Sequence, residues 1–186
     1  MSSKQLLNKD KIISVLQKTN ALKFGDFTLA SGVKSKYYID LRVIPNYPAE
    51  FELLTDFASE YIKKNIPNIE GITAVPLAGI PFGVLIATKL KKPFYILRKE
   101  QKEHGLQKMI EGELKKNQKI LLVDDLITSG FSKVFAIDAL RKEGAEVKHL
   151  FVFIERTEEG LEKFEQEYAI KVHYLINAKD ILAKIK

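Results

Sequence analysis

An α/β fold with a central, mostly parallel sheet flanked by helices is predicted from three observations. First, the short apolar runs GITAV, PFYIL, KILLVD, EVKHLFVFIE and KVHYLI alternate along the chain with segments of helical period. Second, several of these runs are apolar almost throughout rather than at every other residue. Strands covered by helices on both faces read this way, whereas a half-solvated antiparallel sheet alternates. Third, no internal repeat, linker or low-complexity tract interrupts the order, so residues 1–186 are read as one domain with a small amino-terminal elaboration.

In order, Asn8 and Asp10 are candidate caps of a helix over Lys11 to Thr19, with Ile12, Val15 and Leu16 on one face. From Ala21 to Arg42 the pattern changes to short β-prone pieces around the Ser31-Gly32 turn signal, and KYYIDLR reads as a strand. Pro48 suits the first turn of a helix through about Lys64, with Phe51, Leu54, Phe57, Ala58 and Tyr61 inward. GITAV is a buried strand, followed by a Pro/Gly turn and a helix over Phe82 to Leu90, and PFYIL is the next strand. KILLVD is a strand, DLITSG a turn, and Phe131 to Lys142 a helix ended by Gly144. EVKHLFVFIE, a helix over Glu158 to Glu167, KVHYLI and a helix over Lys179 to Lys186 complete the chain. Between PFYIL and KILLVD lies Arg98 to Asn117, a polar segment without apolar periodicity. A segment of that length inside a compact domain reads as a functional loop.

Bulk properties exclude several classes. With 46% hydrophobic and 29% charged residues the composition is that of a water-soluble globular protein, and no apolar run reaches the length of a membrane span. The start, MSSKQLLNKDK, lacks the apolar core of a signal peptide, so a cytoplasmic protein is expected. There is no cysteine, which removes disulfides, thiolate nucleophiles and cysteine-ligated metals, and His104, His149 and His173 are too scattered for a zinc site. The formal net charge of +6 is concentrated: Lys89 to Lys119 holds ten Lys or Arg against four Glu, and the remainder is balanced. A local excess suits a compact polyanionic ligand at least as well as a nucleic-acid track, and no DNA- or RNA-reading motif accompanies it, so nucleic acid is the weaker reading.

The chemistry concentrates in Ile120 to Ser132, ILLVDDLITSGFS. An apolar strand ends in Asp124 and Asp125, at the carboxyl edge where parallel sheets place their ligands. Thr128, Ser129, Gly130, Phe131 and Ser132 then open a helix. Their backbone N–H groups, hydroxyls and helix dipole make an anion cradle, and Gly130 permits close approach. A Ser/Thr/Gly turn alone is also an ordinary strand-to-helix connection, with Asp125 as cap. The paired acids favour a ribose phosphate: carboxylates accept from the 2- and 3-hydroxyls while the cradle holds the 5-phosphate.

This stretch resembles the motif with which type I phosphoribosyltransferases bind 5-phospho-α-D-ribosyl 1-diphosphate (PRPP). FGDFTLASGVKSKYYIDLR is similar to the amino-terminal signature of orotate phosphoribosyltransferases, AVPLAGIPFG to their pyrophosphate loop, RKEQKEHGLQKMIEG to their mobile catalytic loop, and IERTEEG to the strand end that meets orotate. The matches run in family order from about Leu22 to Gly160. The resemblance implies the type I phosphoribosyltransferase fold with an amino-terminal hood involving Ser31, Gly32, Lys34 and Tyr38. It further implies that Asp124 and Asp125 hold the ribose hydroxyls. The binding motif through Leu126, Ile127, Thr128, Ser129, Gly130, Phe131 and Ser132 takes the 5-phosphate, with Thr128 also near orotate. Arg98, Lys99, Lys102 and His104 contact the pyrophosphate, with Lys102 the leading catalytic candidate beside Asp124 and Asp125, and Arg156 pairs with orotate. Mg²⁺ is the implied cofactor, bridging substrate oxygens with few dedicated protein ligands. A homodimer is implied, in which the loop closes over the neighbouring subunit's site. The sequence departs from the family pattern at Ala30 and Ala78, where many members carry a basic residue, and Lys34, Lys36 or Arg42 are candidates to compensate.

The physics of the reaction agrees with this assignment. Departing pyrophosphate develops negative charge and the ribose develops oxocarbenium character, so cations on a closing loop stabilise the change and exclude water. Three alternatives stay open: another base specificity on the same fold, a PRPP-sensing regulator that binds nucleic acid, and a receiver-like domain whose paired acids hold Mg²⁺. FTLASG and Arg156 argue against the first, the Lys102 and His104 loop against the second, and the Thr-Ser-Gly cradle against the third.

Overall fold

The computed structural model describes residues 3–28, 32, 34–100, 109–157 and 160–184. These form two compact units, residues 1–54 and 55–186.

The first unit begins with helix α1 (Ser3–Lys18). Ile12, Val15 and Leu16 are buried, the face that the sequence predicts, but the helix starts earlier than expected and Asp10 lies within it rather than capping it. An antiparallel hairpin follows, β1 (Leu22–Thr28) and β2 (Lys34–Ile39), pairing Leu22 with Ile39 and Thr28 with Lys34. The KYYIDLR strand therefore stops early. Asp40 turns the chain by accepting the N–H of Arg42, and Leu41–Asn46 is a 3₁₀ helix. Lys34 donates to Thr28 Oγ1 at 2.8 Å, Lys36 pairs with Asp26, and Arg42 is held by Asp40 and the Tyr38 hydroxyl. All three candidate compensating cations thus have partners inside this unit.

Helix α2 (Pro48–Asn65) starts on its proline, carries Glu50 in its first turn and Lys63 and Lys64 in its last, an order the helix dipole favours. The second unit holds a six-stranded sheet. Its strands are β3 (Gly71–Ala74), β4 (Phe94–Leu97), β5 (Ile110–Glu111), β6 (Lys119–Ile127), β7 (Glu146–Glu155) and β8 (Lys171–Asn177), in the order β5-β4-β3-β6-β7-β8. Every pairing is parallel except β4 with β5. The helices are α3 (Gly79–Leu90), α4 (Phe131–Lys142), α5 (Glu162–Tyr168) and α6 (Ala178–Lys184). The continuous apolar runs become the sheet's centre: Leu121, Leu122 and Val123 of β6 and Leu150 to Ile154 of β7 are buried. Removing this surface from water is the main drive that assembles the unit.

Four further points differ from the sequence reading, two for local reasons and two because a neighbouring strand pairs with the residues concerned. Helix α3 begins at Gly79 rather than Phe82, because the Pro/Gly turn is shorter than its composition indicates. Strand β6 runs three residues past Asp124, since Leu126 and Ile127 still pair with Ile154 and Glu155 of β7. Helix α5 begins at Glu162, because Gly160 has φ +88°, outside the helical region. The polar segment Arg98 to Asn117 contains β5, whose residues Ile110 and Glu111 pair with Leu97 and Ile96; two residues are too few to give a periodic signal.

Candidate phosphoribose site

The parallel register brings the carboxyl ends of β3, β6 and β7 together. Ala74 lies opposite Val123, so the turn after β3 starts level with Asp124, and Glu155 lies opposite Ile127, which places Arg156 beside the end of β6. The N–H of Arg156 donates to the Ile127 carbonyl at 2.9 Å. At Gly79, the first residue of α3, an added Cβ would lie 2.8 Å from the Val123 carbonyl oxygen and 3.1 Å from Asp124 Oδ1. No side chain fits there, and the turn Val75–Ala78 is thereby held against the paired acids. Ala78, directly before the helix, offers no polar atom to a ligand beyond its backbone.

Asp124 and Asp125 are not equivalent. Asp124 is 3% exposed and both its oxygens are engaged by the protein. Oδ1 accepts the Asp125 N–H at 2.9 Å and Oδ2 lies 2.7 Å from Lys133 Nζ. Asp125 is only partly buried, and its Oδ1 accepts the Leu126 N–H at 2.7 Å. Loss of hydration raises the Asp125 carboxyl to about 7, and the Asp124 charge beside it pushes the same way, against the opposing pull of Lys133. Asp125 is the less buried of the two acids.

Beyond the strand, Thr128 and Ser129 are exposed, Gly130 is buried at φ +78°, and Phe131 and Ser132 open α4 with exposed side chains, Phe131 at 85%. Gly130 is needed twice over: its backbone is in the left-handed region, and a Cβ there would collide with the ring of Phe164 from α5. Helix α4 is 12 residues long, and its first turn, which leaves backbone N–H groups without helical partners, follows directly on the exposed Thr128 and Ser129. The arrangement is a cradle for a phosphate with a carboxylate beside it. Two members of the predicted set have buried side chains. Ile127 is fully buried in the core, because it continues β6 inward, and the Asp124 carboxylate is turned into the fold toward Lys133.

Of the predicted loop cations, Arg98 follows β4 directly. Its N–H bonds to the Met109 carbonyl at 2.9 Å and its Nε lies 2.6 Å from Glu111 Oε1, so β5 pins Arg98 at the loop's base. Lys99 is exposed. Lys102 and His104, like Ala30 and Ser31, lie outside the described residues. Among the described residues no group of three or more His, Cys, Asp or Glu can hold a metal ion. With Asp124 paired to Lys133, Asp125 is the acid of this pair that would be left to hold a cation, most of whose ligands would have to come from substrate and water. That set fits Mg²⁺, which is commonly bound by one or two carboxylates plus substrate phosphates.

Two residues of the site escaped the sequence reading. Lys133 shares the inward face of α4 with Ala136, Ile137 and Leu140, at i, i+3, i+4 and i+7. A charged residue on that face signals a buried partner. Phe164 had no comparable signal, because its contact with Gly130 depends on where α5 lies.

Residues 44–179 match the phosphoribosyl transferase domain. The chain is 37% identical over 174 residues to orotate phosphoribosyltransferase from Methanocorpusculum labreanum, covering 94% of this chain and 99% of that protein. It is 35% identical to the orotate phosphoribosyltransferase of Pyrococcus horikoshii, over 86% of each. Its structure is similar to the crystal structure of orotate phosphoribosyltransferase from Aeropyrum pernix, with a TM-score of 0.83, 29% identity, and 94% of this chain and 97% of that one covered.

Proposed function

The chain belongs to the family of orotate phosphoribosyltransferases, and from that premise we propose that it transfers the ribose 5-phosphate of PRPP to N1 of orotate. The products are orotidine 5-phosphate and pyrophosphate, a step of pyrimidine nucleotide synthesis. One observation carries the reading for this chain: the partly buried Asp125 lies near the end of a central parallel strand, with Leu126 and Ile127 between it and a Thr-Ser-Gly-Phe-Ser stretch that opens a helix.

In this reading Asp125 accepts hydrogen bonds from the ribose hydroxyls, with Asp124 behind it. The Thr128, Ser129 and Ser132 hydroxyls and the first N–H groups of α4 hold the 5-phosphate. The turn before Gly79 receives the pyrophosphate through backbone groups, since Ala78 supplies no charge. Arg98, Lys99, Lys102 and His104 neutralise the charge that grows on the departing pyrophosphate, Lys102 foremost. Arg156, beside the end of β6, meets the anionic base. Mg²⁺ supplies further neutralisation of the diphosphate when bound, with Asp125 as its protein contact. The wider reading includes a homodimer whose loop serves the neighbouring subunit's site, and a cytoplasmic setting.

The test is a base panel: protein, PRPP and Mg²⁺ with orotate, adenine, guanine or hypoxanthine separately, following nucleotide formation. Orotate is expected to be consumed with release of pyrophosphate. Turnover of a purine base without orotate turnover refutes the specificity. In the same assay Arg156→Ala is expected to raise the KM for orotate more than that for PRPP.

A further inference from the structure

Lys133 belongs to no part of the mechanism above, yet it is the buried cation nearest the chemistry among the described residues. It is 5% exposed, on the inward face of α4. Its Nζ lies 2.7 Å from Asp124 Oδ2 and donates to Ser132 Oγ at 2.9 Å. One ammonium group thus bridges the two halves of the site, the acid pair at the end of β6 and the hydroxyl of the phosphate cradle. We propose that Lys133 is the positioning residue of the phosphoribose site, fixing Asp124 and Ser132 so that Asp125 and the cradle meet the sugar and its phosphate together. The inference rests on the phosphoribosyl-transfer reading and deepens it.

Three consequences follow from the geometry. Asp124 Oδ2 is held by Lys133 while Oδ1 accepts the Asp125 N–H, so the ammonium orients the backbone that carries Asp125. Ser132 Oγ accepts from Lys133, which directs its own O–H proton elsewhere, toward the exposed side of the cradle where a phosphate oxygen would sit. Lys133 also balances the charge of Asp124, so a polyanionic ligand approaches one uncompensated acid rather than two.

A purely stabilising role accounts poorly for this lysine. A buried ion pair gains little over well-packed apolar side chains, and an aliphatic residue would join Ala136, Ile137 and Leu140 without desolvating a charge. What an aliphatic residue cannot do is hold both Asp124 and Ser132.

The test compares wild type, Lys133→Met, Lys133→Arg and the doubly neutral Asp124→Asn/Lys133→Met. The readouts are KM for PRPP and for orotate, kcat, and ribose 5-phosphate binding by calorimetry. Lys133→Met is expected to raise the PRPP KM and the ribose 5-phosphate Kd by about tenfold or more, with the orotate KM nearly unmoved. Lys133→Arg, which keeps the charge and the donors, is expected to recover most of the loss. Should Lys133→Met fail to fold with Asp124 left unpaired, the double variant decides, since it removes both charges. It is expected to fold and still bind ribose 5-phosphate weakly. Wild-type PRPP KM and ribose 5-phosphate Kd in whichever of the two folds, or equal losses for PRPP and orotate, overturn the proposal. A wild type that neither binds ribose 5-phosphate nor turns over PRPP instead removes the functional reading itself.

Discussion

Two glycines of one helix offer a way to separate the geometry of the site from the stability of the fold. At Gly79 an added methyl would sit 2.8 Å from the Val123 carbonyl oxygen and 3.1 Å from the Asp124 Cα, both backbone atoms of the central strand. Ordinary contact begins near 3.4 Å, so Gly79→Ala must push the start of α3 from β6 by about 0.6 Å. Overpacking of this kind costs about 1–3 kcal/mol. At Gly83, one turn on, the methyl would meet Ala74 Cβ at 2.8 Å and the Phe94 ring at 2.9 Å. That ring can swing, and alanine regains about 1 kcal/mol of helix propensity in the helix interior. Net losses near about 2 kcal/mol for Gly79→Ala and about 1 kcal/mol for Gly83→Ala follow, both measurable by urea denaturation. Activity should divide far more sharply. The Gly79 displacement falls between the pyrophosphate turn and the paired acids, where misplacement approaching 1 Å costs up to about a hundredfold, so kcat/KM for PRPP is expected to drop by about tenfold or more. Gly83→Ala, which presses on the Ala74 methyl and on the Phe94 ring at the start of β4 rather than on the backbone of β6, should retain activity within about threefold. Equal activity losses in the two variants, or a Gly79→Ala enzyme as stable and as fast as wild type, would refute the reasoning.

Asp125→Asn is expected to weaken PRPP binding and yet raise stability. The folded carboxyl sits near 7, above the unfolded value of 3.8, so the fold holds the proton more tightly and its stability falls as pH rises through 7. The variant's advantage in urea titrations should therefore be greatest near pH 8, about 1–2 kcal/mol after solvent screening of a partly exposed group, and absent near pH 4. A second pH signature comes from β7 and β8. His149 Nδ1 lies 3.1 Å from His173 Nε2, and the Tyr61 hydroxyl is beside the other His173 nitrogen. Burial first, then the His149 and Lys171 charges, depress His173 to about 4, against an opposing pull from Glu165. Its contribution is thus complete above pH 6.5 and lost as pH falls through 4; His173→Gln should flatten that acid limb of the stability curve by about 1 kcal/mol after screening, and an unchanged limb would remove the histidine from it. Lys102→Ala should lower kcat by about a hundredfold with an unchanged urea midpoint, and an unaffected rate would exclude that side chain from the chemistry.

Most of the sheet was legible because its signal is local and repeated. EVKHLFVFIE and Phe131 to Lys142 have the same limits in the structure as in the sequence reading, since each is long, strongly patterned and bounded by a turn residue. The failures lie where pairing decides. Leu126 and Ile127 read as part of a turn next to Thr-Ser-Gly, but β7 extends alongside them and keeps them in the ladder. Ile110 and Glu111 form a strand only because β4 offers them an edge. Neither effect has a counterpart in the residues themselves, because the partner lies far away in the chain.

The parts of the candidate site are legible in the sequence, and the unequal burial of its two acids is not legible from the pair alone. Strand end, paired acids and hydroxyl-rich helix start are visible in ILLVDDLITSGFS, and the structure brings them to one edge. What two adjacent aspartates do not display in the sequence is their difference in burial, Asp124 buried and Asp125 partly so. In a strand, successive side chains face opposite sides, so two adjacent acids meet different surroundings. One of them has to turn inward, and an inward carboxylate requires a cation or donors to meet it. Period-two alternation together with the helical period of α4 points to that cation: with Ala136, Ile137 and Leu140 on the core side of the helix, Lys133 must face the core as well. The asymmetry of the two acids and the burial of the lysine are therefore one fact, recoverable from residues 124 to 140 once the two periods are read against each other.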